Sequence, residues 1–286
     1  MTRPRIPPVP SVLLAGISIV SGAAIAKGLF PALGPAATAG VRIGLSALML
    51  VAVFRPPLAR LTAPQWRAAV PYGLGLGAMN LVFYLAIARV PLGLAVTVEF
   101  VGPLGVAVLG SRRPLDLVWV VLAGAGIALI APWSGKGVDP VGVLLALLAG
   151  VFWATYIVLG GRLARAIPGG AGVATGMVVA ALLVVPIGAA TGGFARLTPH
   201  LFAVGAAVAL LSSAIPYTLE MNALRALPAR TFGILMSLEP AIAALAGLLF
   251  LGEHLTRSQG AAVALVIAAS AGVTVTARHM EAPVEV

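Results

Sequence analysis

The sequence predicts an all-helical integral membrane protein whose ten transmembrane helices form two inverted five-helix repeats. Three observations carry this expectation. The 286-residue chain is 60% hydrophobic and only 9% charged, with a mean hydropathy of +1.09, whereas a soluble domain averages about 25% charged residues. Ten apolar stretches of roughly the 20 residues that span a bilayer follow one another along the chain. Glutamates stand at matching places in the two halves, Glu99 in the fourth stretch and Glu239 in the ninth, 140 positions later, each followed closely by proline.

The predicted spans are 11–30, 34–54, 69–88, 91–111, 115–133, 141–160, 170–190, 201–221, 229–252 and 257–277. Short connections rich in Pro, Gly and Arg join them, as at Arg55-Pro56-Pro57 and Ile167-Pro168-Gly169-Gly170, and leave no room for a second domain outside the membrane. The first run follows Arg3 and Arg5 but is longer than the core of a signal peptide, so it is read as a span and not as a cleaved leader. With ten spans, twelve Lys and Arg fall on one side and four (Arg89, Lys136, Arg196 and Arg257) on the other. The excess of positive charge places both termini in the cytoplasm.

A net charge of +10 would point to nucleic acid in a soluble protein. Here the cations are scattered singly and in pairs between apolar runs, so they report topology and no nucleic-acid partner is expected. The absence of cysteine excludes disulfides and thiolate metal sites. His200, His254 and His279 lie at span ends, too far apart for a metal centre, and no cofactor is expected. Gly73-Leu74-Gly75-Leu76-Gly77 looks like a dinucleotide loop but lies within a span with no strand before it, so helix packing accounts for it better. No Ser/His/Asp or zinc-protease spacing falls within the membrane, and the chain is not read as an enzyme.

The two halves resemble each other. Val12-Leu13-Leu14-Ala15 recurs as Val143-Leu144-Leu145-Ala146, and Thr97-Val98-Glu99 corresponds to Ser237-Leu238-Glu239. Because five is odd, the second copy must enter the membrane upside down, which makes the repeat inverted. The expected organisation is residues 1–138 and 139–278 as the two repeats and 279–286 as a short cytoplasmic tail.

A carboxylate in hydrocarbon costs several kcal/mol unless paired or wetted, so Glu99 and Glu239 are read as marking a pathway near the bilayer midplane. Pro103 cannot bond to the carbonyl of Glu99, and Pro240 frees that of Met236. The alternative is two protonated acids acting as structural pins. Arg42, about eight residues into the second span, either holds a substrate carboxylate in a bidentate fork or pairs with Glu99. Lys27, near the outer end of the first span, is read as snorkelling to the interface. Trp153 and Tyr156 share one helix face at mid-depth of the sixth span, away from the interfacial belts where such residues collect. They line a cavity or simply pack. Asn80 and Tyr84 form a similar i, i+4 pair in the third span. Tyr217, Glu220 and Asn222 close the eighth span after Pro216, where Glu220 faces either the cavity or the cytoplasmic interface.

From Glu99-Phe100-Val101-Gly102-Pro103-Leu104 through Ser111-Arg112-Arg113-Pro114 to Val118-Trp119-Val120-Val121-Leu122-Ala123, the chain resembles the bacterial threonine/homoserine exporters. These belong to the EamA branch of the drug/metabolite transporter superfamily. Asn80 to Leu85, Val90-Pro91-Leu92-Gly93, Ser237-Leu238-Glu239-Pro240 and Leu251-Gly252-Glu253 extend the resemblance over nearly the whole chain. It implies a ten-helix carrier of the inner membrane with a central cavity lined by spans 1, 3, 4, 6, 8 and 9. The implied activity is proton-driven efflux of small neutral amino acids, by a monomer or a homodimer in contact with membrane lipid.

On this reading Glu99 or Glu239 takes the substrate ammonium, and Arg42, Asn80 or a half-helix N-terminus takes its carboxylate. Proton and substrate compete for one glutamate, which gives antiport. Two alternatives stand beside it: a superfamily member moving another metabolite or a toxic compound, and a membrane scaffold that transports nothing.

Overall fold

The computed structural model describes residues 7–109, 114–130, 138–216, 219 and 235–276, and every regular element among them is helical. Helices α1 (Pro8–Leu33) and α2 (Pro35–Phe54) meet at Gly34, whose φ of 80° lets the chain reverse within one residue. Helix α3 (Ala63–Ile87) opens on a Thr62–Gln65 capping box, and Gln65 Nε2 also donates to the carbonyl of Ala166. Two short helices follow, α4 (Leu92–Glu99) and α5 (Val101–Leu109), and then α6 (Pro114–Ile130). Asp139 accepts the Val141 N–H at the start of α7 (Pro140–Ala166), and α8 (Gly170–Ala190) comes next. Helix α9 (Pro199–Ala209) runs into a π-helical segment, Leu210–Ala214. The described chain closes with α10 (Glu239–Leu251) and α11 (Arg257–Thr276).

Helices α1, α2, α3, α7 and α8 are each 20–27 residues long and, by length and composition, apolar enough to cross a membrane. At 1.5 Å per residue such helices reach about 30–40 Å, the thickness of a bilayer core or more. The limits predicted for the seventh span, 170–190, coincide with α8, and most others agree within a few residues. The fourth and ninth predicted spans differ in kind, because neither is continuous. The fourth divides into α4 and α5 at Phe100, and in the ninth a turn at Ser237-Leu238 precedes α10.

The helices pack in a definite set of pairs. Helix α2 lies on α8, α3 on α7 and α8, α4 on α10, α6 on α11, α1 on α10, α4 and α5 on α7, and α9 on α1 and α2. Glycines permit the closest approaches. A Cβ at Gly73 would sit 2.5 Å from the Gly176 carbonyl, and one at Gly77 would sit 3.1 Å from Ala180 Cα, so this glycine run is a contact stripe between α3 and α8. Outward faces carry Leu48, Leu144, Leu182 and Leu249, all well exposed, as suits a surface solvated by lipid chains.

Among the described residues, two ion pairs tie connections together. Arg89 Nη1 lies 2.9 Å from Asp139 Oδ2, joining the turn after α3 to the start of α7. The bond from Arg89, with the N–H of Val141, holds the Asp139 carboxyl below its ordinary range.

The second pair corrects the reading of Lys27 as a snorkelling side chain. Lys27 Nζ turns inward, donating to the carbonyl of Val90 and pairing with Glu253 Oε1. Gly252, at φ 65°, ends α10 in the left-handed region, and the Glu253 N–H bonds back to the Gly247 carbonyl. That turn brings Glu253 Oε2 2.7 Å from the N–H of Leu92, one of the unpaired donors at the start of α4. The Leu251-Gly252-Glu253 motif is therefore a cap and a cross-brace for α1, α4 and α10.

Lys27→Met and Glu253→Gln each strand one member of a pair whose side chains are only 21% and 15% exposed. Each is expected to cost about 1–3 kcal/mol, less than for a fully buried pair. The double variant should recover much of that loss. Thermal unfolding in detergent measures the cycle, and strictly additive losses would show that the pair is not coupled.

Candidate functional site

Arg42, Asn80, Glu99, Ser212, Ser213 and Glu239 all line one cavity of about 240 Å³. Its walls come from α1, α2, α3, α4, α7, α8, the π-helical segment and α10. It is smaller than the roughly 300–1,000 Å³ of sites for drug-sized ligands, which suits a ligand of few heavy atoms.

Glu99 reaches this cavity because α4 ends there. With no N–H on Pro103, the carbonyl of Glu99 has no helical acceptor role to fill, and the helix stops with Phe100 bonding back to Val96 and Val98. Helix α5 then restarts, Leu104 N–H bonding to the Phe100 carbonyl at 3.2 Å. The freed Glu99 carbonyl is directed at α7. A Cβ on Gly150 would lie 2.6 Å from it, and a Cβ on Gly102 would collide with the Gly150 carbonyl. Glycine on both sides lets the broken helix press against α7 at the level of the carboxylate.

Glu239 arrives at the same cavity from the opposite chain polarity. It is the first residue of α10, after the Ser237-Leu238 turn, with Pro240 in the first turn where its missing N–H costs nothing. Glu99 and Glu239 are 6% and 8% exposed. Both line the cavity together with Arg42, and Glu99 lies within Coulombic range of the other two.

Arg42 is held rather than paired. Its Nη1 donates to Asn80 Oδ1 at 2.7 Å, Asn80 Nδ2 donates to the Leu76 carbonyl at 2.8 Å, and the guanidinium lies over the ring of Tyr84, 5.4 Å from its centroid. Among the described residues no ion pair joins Arg42 to Glu99, so that alternative from the sequence is not realised. The bond to Asn80 employs one of five guanidinium N–H groups and fixes the plane of the fork.

The other expected residues divide. Asn80, Trp153 and Tyr156 line the cavity. Trp153 stands edge-on to Phe100 at 5.4 Å, and Tyr156 packs against Tyr72 at 5.0 Å. Tyr84 is fully buried behind Arg42 and outside the cavity wall. Tyr217 and Glu220 lie outside the described residues.

Sequence reasoning passed over Ser212 and Ser213, which line the cavity from the π-helical segment. Ser213 Oγ donates to Ser46 Oγ of α2 at 2.8 Å. The available signal was a pair of hydroxyls in an apolar run, just before Pro216. Met79, Met177 and Met236 also face the cavity and give it an adaptable apolar lining. The chamber thus presents two acids, one oriented base, hydroxyls and aromatic walls. Among the described residues no three His, Cys, Asp or Glu side chains converge as a metal site would require.

Residues 140–275 match the EamA-like transporter family. The chain is 49% identical over 274 residues to the threonine/homoserine exporter RhtA of Salmonella typhimurium (strain LT2), covering 95% of this chain and 92% of that one. It is likewise 49% identical over 273 residues to the RhtA of Escherichia coli (strain K12), with the same coverage. A transporter of uncharacterised activity from Bacillus subtilis (strain 168), YwfM, is 30% identical over 160 residues, 55% of this chain and 54% of that one. One crystal structure superposes with a TM-score of 0.60 at 21% identity, over 95% of this chain and 98% of that one, and shares the fold.

Gly150→Val is expected to abolish accumulation of folded protein, because the new side chain meets backbone that cannot move aside. Gly28→Ala, whose Cβ meets nothing within 4 Å, should be neutral or stabilising by up to about 1 kcal/mol. Size-exclusion profiles of the two variants in detergent make the comparison; equal profiles would show that the α4–α7 contact tolerates bulk.

Proposed function

The chain belongs to the EamA-like transporter family, and from that premise we propose that it exports small neutral amino acids of the threonine/homoserine type across the bacterial inner membrane. The observation that carries this reading is the small cavity bounded by Arg42, Glu99 and Glu239. A zwitterion needs an anionic partner for its ammonium and a paired donor for its carboxylate, and the cavity wall offers both. Glu99 or Glu239 takes the ammonium, and Arg42, oriented by Asn80 and Tyr84, takes the carboxylate. Trp153 and Tyr156 bound the space left for a short side chain. Tyr217 and Glu220 complete the proposed site. The relatives named as threonine/homoserine exporters support the substrate class.

The ten-span, two-repeat organisation over residues 1–138 and 139–278 is part of the same proposal, with residues 279–286 as a tail and both ends in the cytoplasm. The helix pairings support it. If each span is matched to the one five places later, α2·α8, α4·α10 and α6·α11 map onto themselves. The pairing α1·α10 then exchanges with that of α4 and α5 on α7, and α2·α9 exchanges with α3·α8. A two-fold axis in the membrane plane would generate this pattern. The two glutamates, one ending a half-helix and one beginning another, would lie close to that axis.

Transport then follows as alternating access with proton antiport. The substrate ammonium and a proton compete for the buried carboxylates, so a protonated glutamate releases substrate on the outer side and a deprotonated one accepts it on the inner side. One repeat rocks against the other between these states.

Counterflow in proteoliposomes with labelled threonine and homoserine tests the substrate class, and an imposed pH gradient tests the coupling. Glu99→Gln or Glu239→Gln should abolish acceleration by the gradient, and Arg42→Lys should weaken apparent substrate affinity about tenfold, roughly 1.4 kcal/mol. Unchanged pH-driven efflux in both glutamine variants would refute the antiport scheme.

A further inference from the structure

A second cavity, of about 300 Å³, lies among α3, α7 and α8, and helical register ties it to the first. Leu76 of α3, Tyr156 of α7 and Met177 of α8 line the central cavity. Tyr72, Gly160 and Val173, each four residues away along the same three helices, line the second. Residues four apart share a helix face, so the second cavity continues the first by one turn within a single three-helix groove. The step runs toward the start of α3, the end of α7 and the start of α8. Arg67, Arg162 and Arg165 cluster at these helix ends, which the orientation proposed above places on the cytoplasmic side. The lining of the second cavity runs on to Ala164 and Gly169, both exposed.

Tyr156 is the partition between the two spaces. It lines both cavities, and its ring meets that of Tyr72 at 5.0 Å between centroids. The two rings are held differently. Tyr72 is 4% exposed and lies so close to α8 that a Cβ on Gly176 would collide with its ring. Tyr156 is half-buried and has a cavity on either side. In a helix χ1 near 180° and near −60° are both open to such a side chain, so the ring can leave Tyr72 without moving the α7 backbone. Charge also separates the two spaces. Among the described residues no charged side chain lines the second cavity, whereas Arg42, Glu99 and Glu239 all line the first. A zwitterion finds nothing to hold it in the second cavity and its charged partners just beyond Tyr156.

We propose that the second cavity is the inner vestibule of the transport path and that Tyr156, closed against Tyr72, is the gate between it and the central cavity. This rests on the exporter reading above and deepens it, giving a small zwitterion its way in from the cytoplasm. Tyr72, seated on Gly176, is the fixed side of the gate, and Tyr156 is the moving side. With the rings in contact the central cavity is shut off from the vestibule; with Tyr156 turned away the two spaces join.

The chain has no cysteine, so single-cysteine variants of the full-length protein report access directly. The probe is a membrane-impermeant cationic methanethiosulfonate applied to inside-out membrane vesicles. Ala164→Cys, in the vestibule, is expected to react, and the adduct, formed after folding, to lower threonine counterflow in proteoliposomes about tenfold. Met79→Cys, in the central cavity, is expected to react slowly, and about tenfold faster when combined with Tyr156→Ala. In right-side-out vesicles Tyr156→Ala should leave the rate at Met79→Cys as it was. The inference is overturned if Ala164→Cys reacts only with a lipid-soluble maleimide, or if its adduct leaves counterflow unaltered. It is equally overturned if Tyr156→Ala fails to raise the rate at Met79→Cys, or raises it alike from both faces, as general loosening would. Because the Ala164→Cys arm leaves Tyr156 in place, it decides even where Tyr156→Ala does not fold. If wild type moves neither threonine nor homoserine, the amino-acid reading fails, and the labelling rates alone decide the gate.

Discussion

In a hydrocarbon environment every backbone N–H and C=O must find a partner within the protein, and this constraint organises the molecule. Most of the chain meets it with uninterrupted helices. Among the described residues, the helical path within the predicted spans is interrupted at Phe100, across the π-helical segment Leu210–Ala214, and at Ser237-Leu238. All three places border the cavity: Glu99, Ser212 and Glu239 each stand at or next to one of them. Irregular backbone is thus gathered where water or a polar ligand can reach it and kept away from lipid.

Proline produces these interruptions and glycine accommodates them. Pro103 leaves the Glu99 carbonyl without a donor, Pro216 does the same for Leu211, and Pro240 starts α10 immediately after Glu239. Gly102 and Gly150 let the first broken helix close against α7, and Gly22 leaves space for Ser212 beside α1. A charged side chain at such a point is supported by its neighbours as well as by its own pairing. Arg42 illustrates this, fixed by Asn80 and Tyr84 and, among the described residues, without an ion-paired carboxylate.

Much of this was legible in the sequence, and what was not has a physical reason. Span positions could be read because apolar runs and Arg-rich connections report the bilayer directly, as the coincidence of α8 with 170–190 illustrates. Glu99 and Glu239 stood out because ionised groups are rare in such runs; their prolines marked freed carbonyls, but the two spans read as continuous because a run of apolar residues looks the same whether or not the helix breaks within it. Lys27 was misread because its partner, Glu253, lies 226 residues away, and the turn at Gly252 that delivers it is a tertiary event. Ser212 left no periodic mark, since a hydroxyl is unremarkable in a membrane helix until its bonding is known. Tyr84 was grouped with Asn80 by helical spacing, yet the face of α3 turns so that Asn80 meets the cavity and Tyr84 supports Arg42 from behind.

The brace formed by Lys27, Glu253 and the Leu92 N–H has a consequence for the physical conditions under which the molecule operates. Ions in solution screen exposed charges over about 8–10 Å but hardly reach a pair enclosed by three helices. Dissolved electrolyte will therefore do little to loosen the junction of α1, α4 and α10. A junction built this way holds nearly as firmly in concentrated as in dilute salt.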